Sequence, residues 1–317
     1  MRVLGVWTHA SDYSREEDVE RALDALAEAG FSLIVALVKG GSGRVAYGSS
    51  IAPTMGLSFD YVGTMAEGCR ERGLKLHAWF CAFIEGGREP GGVLKARPEL
   101  AALAEDGRPV GWACPSKKEA RRYELSVIRE FLERYEVDGV HLDYIRYPEL
   151  HYYRACACPD CGGKLDPLNE EWVLRRASNV TGFVEEVRDL TRELDVELSA
   201  AVFPNYPACV VEVGQDWVSW CEEGFLDWVA PMTYTNITLV ARRLAQEHRA
   251  LTKCRLYEGL GKKSSVSSLS PEKLAEQAGA VLEAGADGVM VFSYSSLTQR
   301  DLEFLKQIVG GEPHKLC

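Results

Sequence analysis

Residues 137–148 read Val137-Asp138-Gly139-Val140-His141-Leu142-Asp143-Tyr144-Ile145-Arg146-Tyr147-Pro148. Apolar Val140 and Leu142 alternate with polar His141 and Asp143, which is the period of a β-strand. Pro148 then ends any ladder pairing, because proline has no amide hydrogen to donate. A carboxyl group at the end of an apolar strand either has a partner that compensates its charge or serves a functional role. We therefore interpret Asp143 as a site residue; the structural alternative is an Asp that caps the next segment or pairs with Arg146.

Seven further apolar runs have the length of buried strands, and stretches with helical spacing lie between and after them. Ser14, three residues before Glu17, predicts the start of the first helix, and Ser270-Pro271 predicts the start of a late one. The eight predicted strands are residues 3–7, 32–38, 74–80, 139–143, 197–203, 226–232, 255–260 and 288–292.

Eight strands that alternate with about eight helices predict an α/β fold with a parallel sheet. The count favours a closed (β/α)8 TIM barrel over an open doubly wound sheet. The first strand is not followed by Gly-x-Gly-x-x-Gly, which argues against a dinucleotide site. We predict one domain over residues 1–317, with a cysteine-rich loop insertion at about residues 149–168.

Composition and charge exclude some classes of partner. The formal net charge of -11 argues against nucleic-acid binding, which needs clustered Lys and Arg. No run of eighteen apolar residues is present, so we expect no membrane span. The chain opens directly on a predicted strand without a signal peptide, and five of its ten cysteines lie scattered in apolar contexts, namely Cys69, Cys81, Cys209, Cys221 and Cys254. We therefore expect a cytoplasmic, reducing location; the alternative is a secreted protein whose signal peptide has been removed.

The residues that follow the strands of a barrel gather at one face, where active sites lie. Here they combine aromatic rings with hydrogen-bonding groups, and a pyranose needs both because its faces carry C–H bonds and its rim carries hydroxyls. Any single Trp or His in a strand could instead be a core residue. The predicted substrate-binding residues are Trp7, Lys39, His77, Trp79, His141, Arg146, Tyr147, Asn205, Met232, Tyr234 and Tyr294.

The chain resembles the glycosyl-hydrolase-like family 10 proteins and, more distantly, the family 18 chitinases. The resemblance rests on Gly5-Val6-Trp7-Thr8, Leu37-Val38-Lys39, His77-Ala78-Trp79-Phe80, Asp138–Asp143, 224–234 and 288–293. It implies a barrel enzyme that hydrolyses glycosidic bonds, in bacterial cell-wall glycan or another polysaccharide.

The chain also departs from those patterns. Ile145 stands where a chitinase carries its acid, His141 where it carries an Asp, and Thr235 replaces the Asp of the sixth-strand motif. Tyr144 stands where the family 10 pattern often carries a second acid. We therefore do not expect this chain to use the substrate-assisted mechanism of the chitinases. Asp143 is the one catalytic carboxylate that the resemblance supports.

Glycoside hydrolysis needs two carboxyl groups, one to protonate the leaving oxygen and one to act as nucleophile or base. We assign Asp143 as acid/base and Glu258, near the seventh strand end, as the second carboxylate; the alternative for Glu258 is a structural ion pair. Glu85 and Asp12 are weaker candidates. Three further acids, Asp138, Asp227 and Asp287, immediately precede strands, so we place them at the opposite face and exclude them.

A cluster of cysteines follows the opening motif. Cys158 and Cys161 form a Cys-Pro-Asp-Cys knuckle, preceded by Cys156 and followed by Gly-Gly, which is typical of half a zinc ribbon. Structural zinc needs four ligands, so His151 nearby or the distant Cys114 would complete the set. The alternatives are a disulfide or reduced thiols. We expect no cofactor for catalysis.

Two other functions remain open at this point. A catalytically silent carbohydrate-binding barrel would account for the missing second acid. A barrel lyase or aldolase would use Lys39 as an amine nucleophile.

Overall fold

The structure is a computed structural model that describes residues 2–309, and it contains a closed barrel of eight parallel strands. The predicted (β/α)8 TIM barrel is confirmed, and each predicted strand overlaps a barrel strand. The barrel strands are β1 (Val3–Thr8), β2 (Leu33–Lys39), β3 (Lys75–Cys81), β7 (Gly139–Asp143), β8 (Glu197–Val202), β9 (Trp228–Pro231), β10 (Arg255–Gly261) and β11 (Gly288–Phe292).

Helices surround the barrel between successive strands. Their bounds are α1 (Glu16–Glu28), α2 (Tyr61–Glu71), α3 (Lys118–Leu132), α4 (Leu150–Tyr153), α5 (Glu170–Glu193), α6 (Ala208–Val213), α7 (Trp217–Glu222), α8 (Thr238–Leu251), α9 (Pro271–Glu283) and α10 (Gln299–Val309). None of the helices within residues 2–309 combines the length and the apolar character that crossing a lipid bilayer requires.

The two predicted helix starts have different outcomes. The Ser270 side chain accepts a hydrogen bond from the Lys273 amide at the start of α9, as predicted. The predicted first helix is present as α1, but its predicted start is wrong by one residue, because the N-cap is Arg15 rather than Ser14. The Ser14 amide instead donates a hydrogen bond to Asp18 Oδ2 (3.0 Å), an acidic side chain in the first turn of the helix.

Two long connections leave the barrel on either side of α3. After β3 the chain forms a small antiparallel sheet, which the sequence analysis did not predict, of β4 (Ile84–Gly87), β5 (Ala101–Leu103) and β6 (Pro109–Ala113). After β7 comes the cysteine-rich segment, which lies against the sheet through a bridge between Ala104 and Ala155. Both connections lie on the side of the barrel where the strands end.

The three excluded acids lie at the strand starts and share one hydrogen-bond pattern. Each accepts the amide of the second residue of a neighbouring barrel strand: Asp138 from Leu76 (2.8 Å), Asp227 from Leu198 (2.8 Å) and Asp287 from Leu256 (2.9 Å). These carboxylates accept hydrogen bonds from backbone amides at the strand starts. Asp143 lies at the opposite face of the barrel, where it pairs with Cys81 at the end of β3.

Candidate active site

A cavity of about 410 Å³ opens where the barrel strands end. Its wall is built by residues of β1, β2, β3, β7, β8 and β11 and by the connections that follow β1, β2, β7, β8, β9 and β10. The cavity has the size and the mainly apolar lining of small-molecule sites. Six residues that the sequence analysis singled out line it, namely Trp7, Trp79, Asp143, Arg146, Met232 and Tyr234.

Asp143 is the last residue of β7 and is 8% exposed. Its Oδ2 accepts a hydrogen bond from Trp79 Nε1 (3.2 Å), and its Oδ1 accepts the amide of Tyr144 (2.7 Å). Burial raises the pKa of Asp143 to about 6, although the Tyr144 amide, the Arg146 charge and the Trp79 indole oppose the shift. A carboxyl group with this pKa can both donate and accept a proton near neutral pH.

Tyr144 follows with a φ of 48°, a left-handed conformation that a bulky residue rarely adopts. This turn points the Tyr144 amide back at Asp143, and the Tyr144 ring lies 5.6 Å from the Trp112 ring. Strained backbone of this kind persists where the surrounding structure determines it, and it is common at functional sites. Burial raises the pKa of the Tyr144 hydroxyl above its ordinary value, so the hydroxyl stays a proton donor.

A second carboxyl group, Glu149, borders the same cavity, and Asp143 and Glu149 are the two acids among the lining residues. Glu149 Oε1 accepts a hydrogen bond from Arg146 Nη2 (2.9 Å), whereas its buried Oε2 has no protein partner. The Arg146 guanidinium is held in place by the rings of Trp112 and Phe203, at 4.8 and 4.7 Å from their centroids.

Aromatic groups form the remaining walls. The Tyr234 ring stacks on the Phe292 ring with centroids 5.6 Å apart, and the His9 ring contacts the Trp79 ring at 5.1 Å. Burial, with smaller contributions from Asp143 and Tyr144, raises the pKa of Tyr234 well above its ordinary value. Burial also lowers the pKa of His9, so its neutral ring offers one donor and one acceptor. The cavity therefore combines flat apolar rings with neutral hydrogen-bonding groups.

His141 does not line this cavity, which corrects its prediction as a ligand-binding residue. It is buried inside the barrel, where its ring stacks on Trp228 with centroids 4.9 Å apart. Its Nε2 accepts a hydrogen bond from Trp7 Nε1 (3.1 Å), so the Nδ1–H donates to Ser199 Oγ (2.9 Å). Burial lowers the pKa of His141 well below its ordinary value, in agreement with this neutral form. His141 positions Trp7 from below the cavity.

His77 lies deeper still and is likewise not a ligand-binding residue. Its Nδ1 is 3.2 Å from Ser199 Oγ, and its Nε2 is 3.3 Å from Glu197 Oε2 at the start of β8. The two histidines and Ser199 thus form a buried polar column along the barrel axis. The sequence analysis had considered this core role as the alternative for both histidines.

Glu258 is not a catalytic partner of Asp143. Its side chain is fully buried and accepts hydrogen bonds from Thr233 Oγ1 (2.7 Å) and from His248 Nδ1 (2.8 Å) of α8. His248 Nε2 donates in turn to the carbonyl of Pro204 (2.8 Å). Residues on a barrel strand alternate between the interior and the helix layer, and Glu258 faces the helix layer. Glu258 thus forms the structural ion pair that was its alternative role, and its partner is His248.

Lys39 is also absent from the cavity wall, which removes both its substrate-binding role and the lyase or aldolase hypothesis. Its buried Nζ lies 2.6 Å from Glu85 Oε1 and 2.9 Å from Glu124 Oε2, and it donates to the carbonyls of Cys81 and Ala82. Burial alone would lower the pKa of Lys39, but the two carboxylates hold it above its ordinary value. An amine held in its charged form is not a nucleophile.

Three further predicted residues lie outside the cavity. Tyr147 is fully buried, and its hydroxyl hydrogen-bonds to Ser116 Oγ (2.6 Å) on the side of the cysteine cluster. Asn205 is exposed to solvent after β8, and Tyr294 stacks on Tyr13 with centroids 5.7 Å apart. All three residues follow barrel strands in the sequence, but none of them lines the cavity.

The sequence analysis missed Glu149 as a site residue, because it ended the motif at Pro148, one residue earlier. The available signal was its spacing of three residues from Arg146, which forms the ion pair. Phe203 and Phe292 were missed because they read as the last apolar residues of buried strands.

The predicted metal-binding residues Cys156, Cys158 and Cys161 do come together, and Cys114 joins them. All four thiols are buried, and their Sγ atoms lie within 4.8 Å of one another. His151 does not join this cluster, because its Nδ1 hydrogen-bonds to Glu212 (2.6 Å). The four thiols form a candidate metal centre outside the active-site cavity.

Solved structures with a similar fold include several glycoside hydrolases. The glycoside hydrolase domain of PgaB (BpsB) from Bordetella bronchiseptica superposes with a TM-score of 0.77 at 12% identity, covering 97% of this chain and 99% of that chain. A GH18 chitinase from Pseudoalteromonas aurantia gives a TM-score of 0.61 at 13% identity, covering 98% and 99%. At these identities the likeness shows the fold.

Sequence relatives point to a family. An S-layer-related protein from Niallia circulans is 24% identical over 277 residues, covering 70% of this chain and 17% of that protein, so the chain spans about a sixth of the length of that curated relative. The family described as glycosyl hydrolase-like 10 matches residues 2–270, which include β1 to β10 and both acids of the cavity. The chain therefore belongs to the glycosyl hydrolase-like 10 family.

Proposed function

We propose that this barrel hydrolyses a glycosidic bond in an oligo- or polysaccharide, with Asp143 as the general acid. The observation that carries the proposal is the pKa of about 6 for a buried carboxyl group that borders an aromatic cavity at the barrel mouth. A general acid must hold its proton near the working pH, and burial is the usual means of raising a carboxyl pKa. The glycoside hydrolase neighbours in fold support the same reaction class.

Glu149 replaces Glu258 as the proposed second carboxylate. In this scheme Asp143 transfers its proton to the glycosidic oxygen as the bond to the anomeric carbon breaks. Glu149 either takes a proton from the water that attacks this carbon, or attacks the carbon itself to form a glycosyl ester; in the second case Asp143 then takes the proton of the water that cleaves this ester and releases Glu149. Its free Oε2 and its place on the cavity wall support the role. The rings of Trp79, Tyr234 and Phe292 would pack on sugar faces, and His9 and Tyr234 would bond hydroxyls.

The test is hydrolysis of a panel of bacterial cell-wall glycan fragments and other oligosaccharides, with products identified by mass spectrometry. We expect Asp143→Asn to lose at least a hundredfold in kcat, the usual contribution of general acid catalysis, while sugar binding persists in calorimetry. Asp138→Asn is the matched control, since it makes the same change on the opposite side of the barrel and should keep turnover. Full activity in Asp143→Asn would refute the assignment.

A carbohydrate-binding barrel without catalysis is the second candidate function. The ion pair between Arg146 and Glu149 favours it, because a carboxylate held by a guanidinium is a weaker base and nucleophile. The two functions differ in one measurement. An enzyme converts a bound oligosaccharide, and NMR of the first product gives its anomer; a binding protein gives calorimetric heat with any panel member but no product.

A further inference from the structure

Two separate segments of the chain bring four cysteines to one point. Cys114 directly follows β6 of the small sheet, whereas Cys156, Cys158 and Cys161 belong to the segment after β7. Cys114 Sγ lies 3.7 Å from Cys158 Sγ and 3.5 Å from Cys161 Sγ, and none of the four thiols is more than 1% exposed. Four thiols that are buried around one point usually bind the same ion.

The distances between the sulfur atoms fit a single tetrahedral ion. Zinc binds thiolate sulfur at about 2.3 Å, so the sulfur atoms of a tetrahedral site lie about 3.8 Å apart. A disulfide would need about 2.05 Å, and all four cysteines are free in the structure. An iron–sulfur cluster places several iron and sulfide atoms between its thiolates and holds them farther apart. We propose that Cys114, Cys156, Cys158 and Cys161 bind one structural zinc ion.

Hydrogen-bond donors surround the sulfur atoms as a thiolate site requires. The Leu103 amide donates to Cys156 Sγ (3.4 Å), and Ser116 Oγ lies 3.1 Å from Cys161 Sγ. Asn179 Nδ2 donates to Ser116 Oγ (3.2 Å), which also bonds the Tyr147 hydroxyl (2.6 Å). When the Cys161 sulfur accepts a hydrogen bond, Ser116 is its donor. Ser116 then accepts from Asn179 and from the Tyr147 hydroxyl, so both hydroxyl protons form hydrogen bonds.

A buried cation lies on the same side of the barrel. The Arg176 guanidinium lies between the rings of Tyr147 and Trp172, 4.4 Å from each centroid. The Trp172 indole donates to the carbonyl of Cys161 (3.0 Å), which places this stack against the knuckle. Zinc with four thiolates carries two net negative charges, and a buried charge needs compensation of this kind.

The proposed ion joins the two segments that support Arg146. Trp112 of β6, two residues before Cys114, packs under the Arg146 guanidinium at 4.8 Å. Tyr147, which bonds Ser116 beside Cys161, directly follows Arg146, and Arg146 Nη1 donates to the Tyr147 carbonyl (3.1 Å). The zinc would therefore stabilise the segment that carries Arg146 and Glu149. The zinc proposal itself does not depend on the proposed function.

Metal analysis of the purified chain tests the proposal. The protein is prepared with a thiol reductant and without added metal, and zinc and iron are measured by inductively coupled plasma mass spectrometry. We expect one zinc per chain, and loss of that zinc in Cys114→Ser and Cys158→Ser. Cys221→Ser is the matched control, because Cys221 lies on α7 outside the cluster and should leave the zinc in place.

Replacement by cobalt keeps the proposal testable if the cysteine variants fail to fold. Removal of the metal from the wild-type chain by a chelator and addition of Co²⁺ should give thiolate-to-cobalt charge-transfer bands and the intense visible bands of tetrahedral cobalt, at one ion per chain. The melting temperature should fall on chelation and recover with zinc. Stoichiometric iron, a disulfide within the cluster, or a metal-free chain with four reactive thiols and an unchanged melting temperature would each overturn the proposal.

Discussion

Asp143 shows how one residue can oppose stability while it serves a site. Its carboxyl group is buried, and it receives two hydrogen bonds that do not fully offset the lost hydration, because its pKa rises to about 6. An acid whose pKa is higher in the folded than in the unfolded chain destabilises the fold at neutral pH. Proteins keep such groups where function needs them.

We expect Asp143→Asn to raise the free energy of unfolding at pH 7 by up to about 3 kcal/mol, since a shift of about two pKa units corresponds to that amount. The unfolded carboxyl ionises above about pH 4 and the folded one above about pH 6. The gain should therefore be absent near pH 4, grow to pH 6 and stay constant above it. Urea unfolding at several pH values measures it, and a variant less stable than wild type at pH 7 would contradict the burial argument.

The residue scale is also where sequence reasoning was weakest. Asp143 could be placed because strand alternation and its position at a strand end both point to the cavity. Glu258 was likewise predicted from its place near a strand end, yet it lies in the middle of β10 and bonds His248 of α8. Whether a residue near a strand end faces the barrel mouth or the helices depends on the pairing register and tilt of all eight strands, and one strand alone does not reveal either.

At the scale of elements, the triad of Lys39, Glu85 and Glu124 joins β2, β4 and α3. Gly43 packs against it with a φ of 73°, and a Cβ at Gly43 would lie 2.0 Å from Glu85 Oε2. The glycine after β2 is thus required by the close approach of a carboxylate. The triad holds the small sheet against the barrel beside the cavity.

Lys39→Met should destabilise the chain by about 3–5 kcal/mol at neutral pH, because it leaves two carboxylates buried without a cation. Arg21→Ala is the control, since the Arg21–Asp18 pair is exposed and should contribute little to stability. Both values come from denaturant unfolding. A loss for Lys39→Met no larger than that of the control would mean that the triad does not stabilise the fold.

At the scale of the molecule, His248 and Glu258 connect β10 and α8 with the segment after β8. Burial would lower the pKa of His248, but the Glu258 carboxylate raises it above its ordinary value of 6.5. The stability that this pair contributes is therefore fully present below about pH 6.5 and is lost as the pH rises through the folded pKa.

Measurement of unfolding free energy from pH 5.5 to pH 9 should show wild type losing stability relative to His248→Gln as the pH rises. The Asp143 contribution is constant above pH 6, so the two effects occupy different pH ranges and can be separated in the double variant. A constant difference between pH 6 and pH 9 would show that the pKa of His248 is the same in the folded and the unfolded chain, and a gain of wild-type stability with rising pH would show that His248 is neutral in the fold; either result would contradict the prediction.

The sequence by itself determined the barrel, because each strand and helix is encoded by the local periodicity of its own apolar residues. It also determined which acids precede strands, so Asp138, Asp227 and Asp287 were placed correctly. Contacts between residues distant in sequence were decided only by the tertiary structure. The packing of separate segments buried Lys39 and both histidines and brought Cys114 to the knuckle. It also placed Glu149 on the wall of the same cavity as Asp143. These placements depend on how segments distant in sequence meet in space.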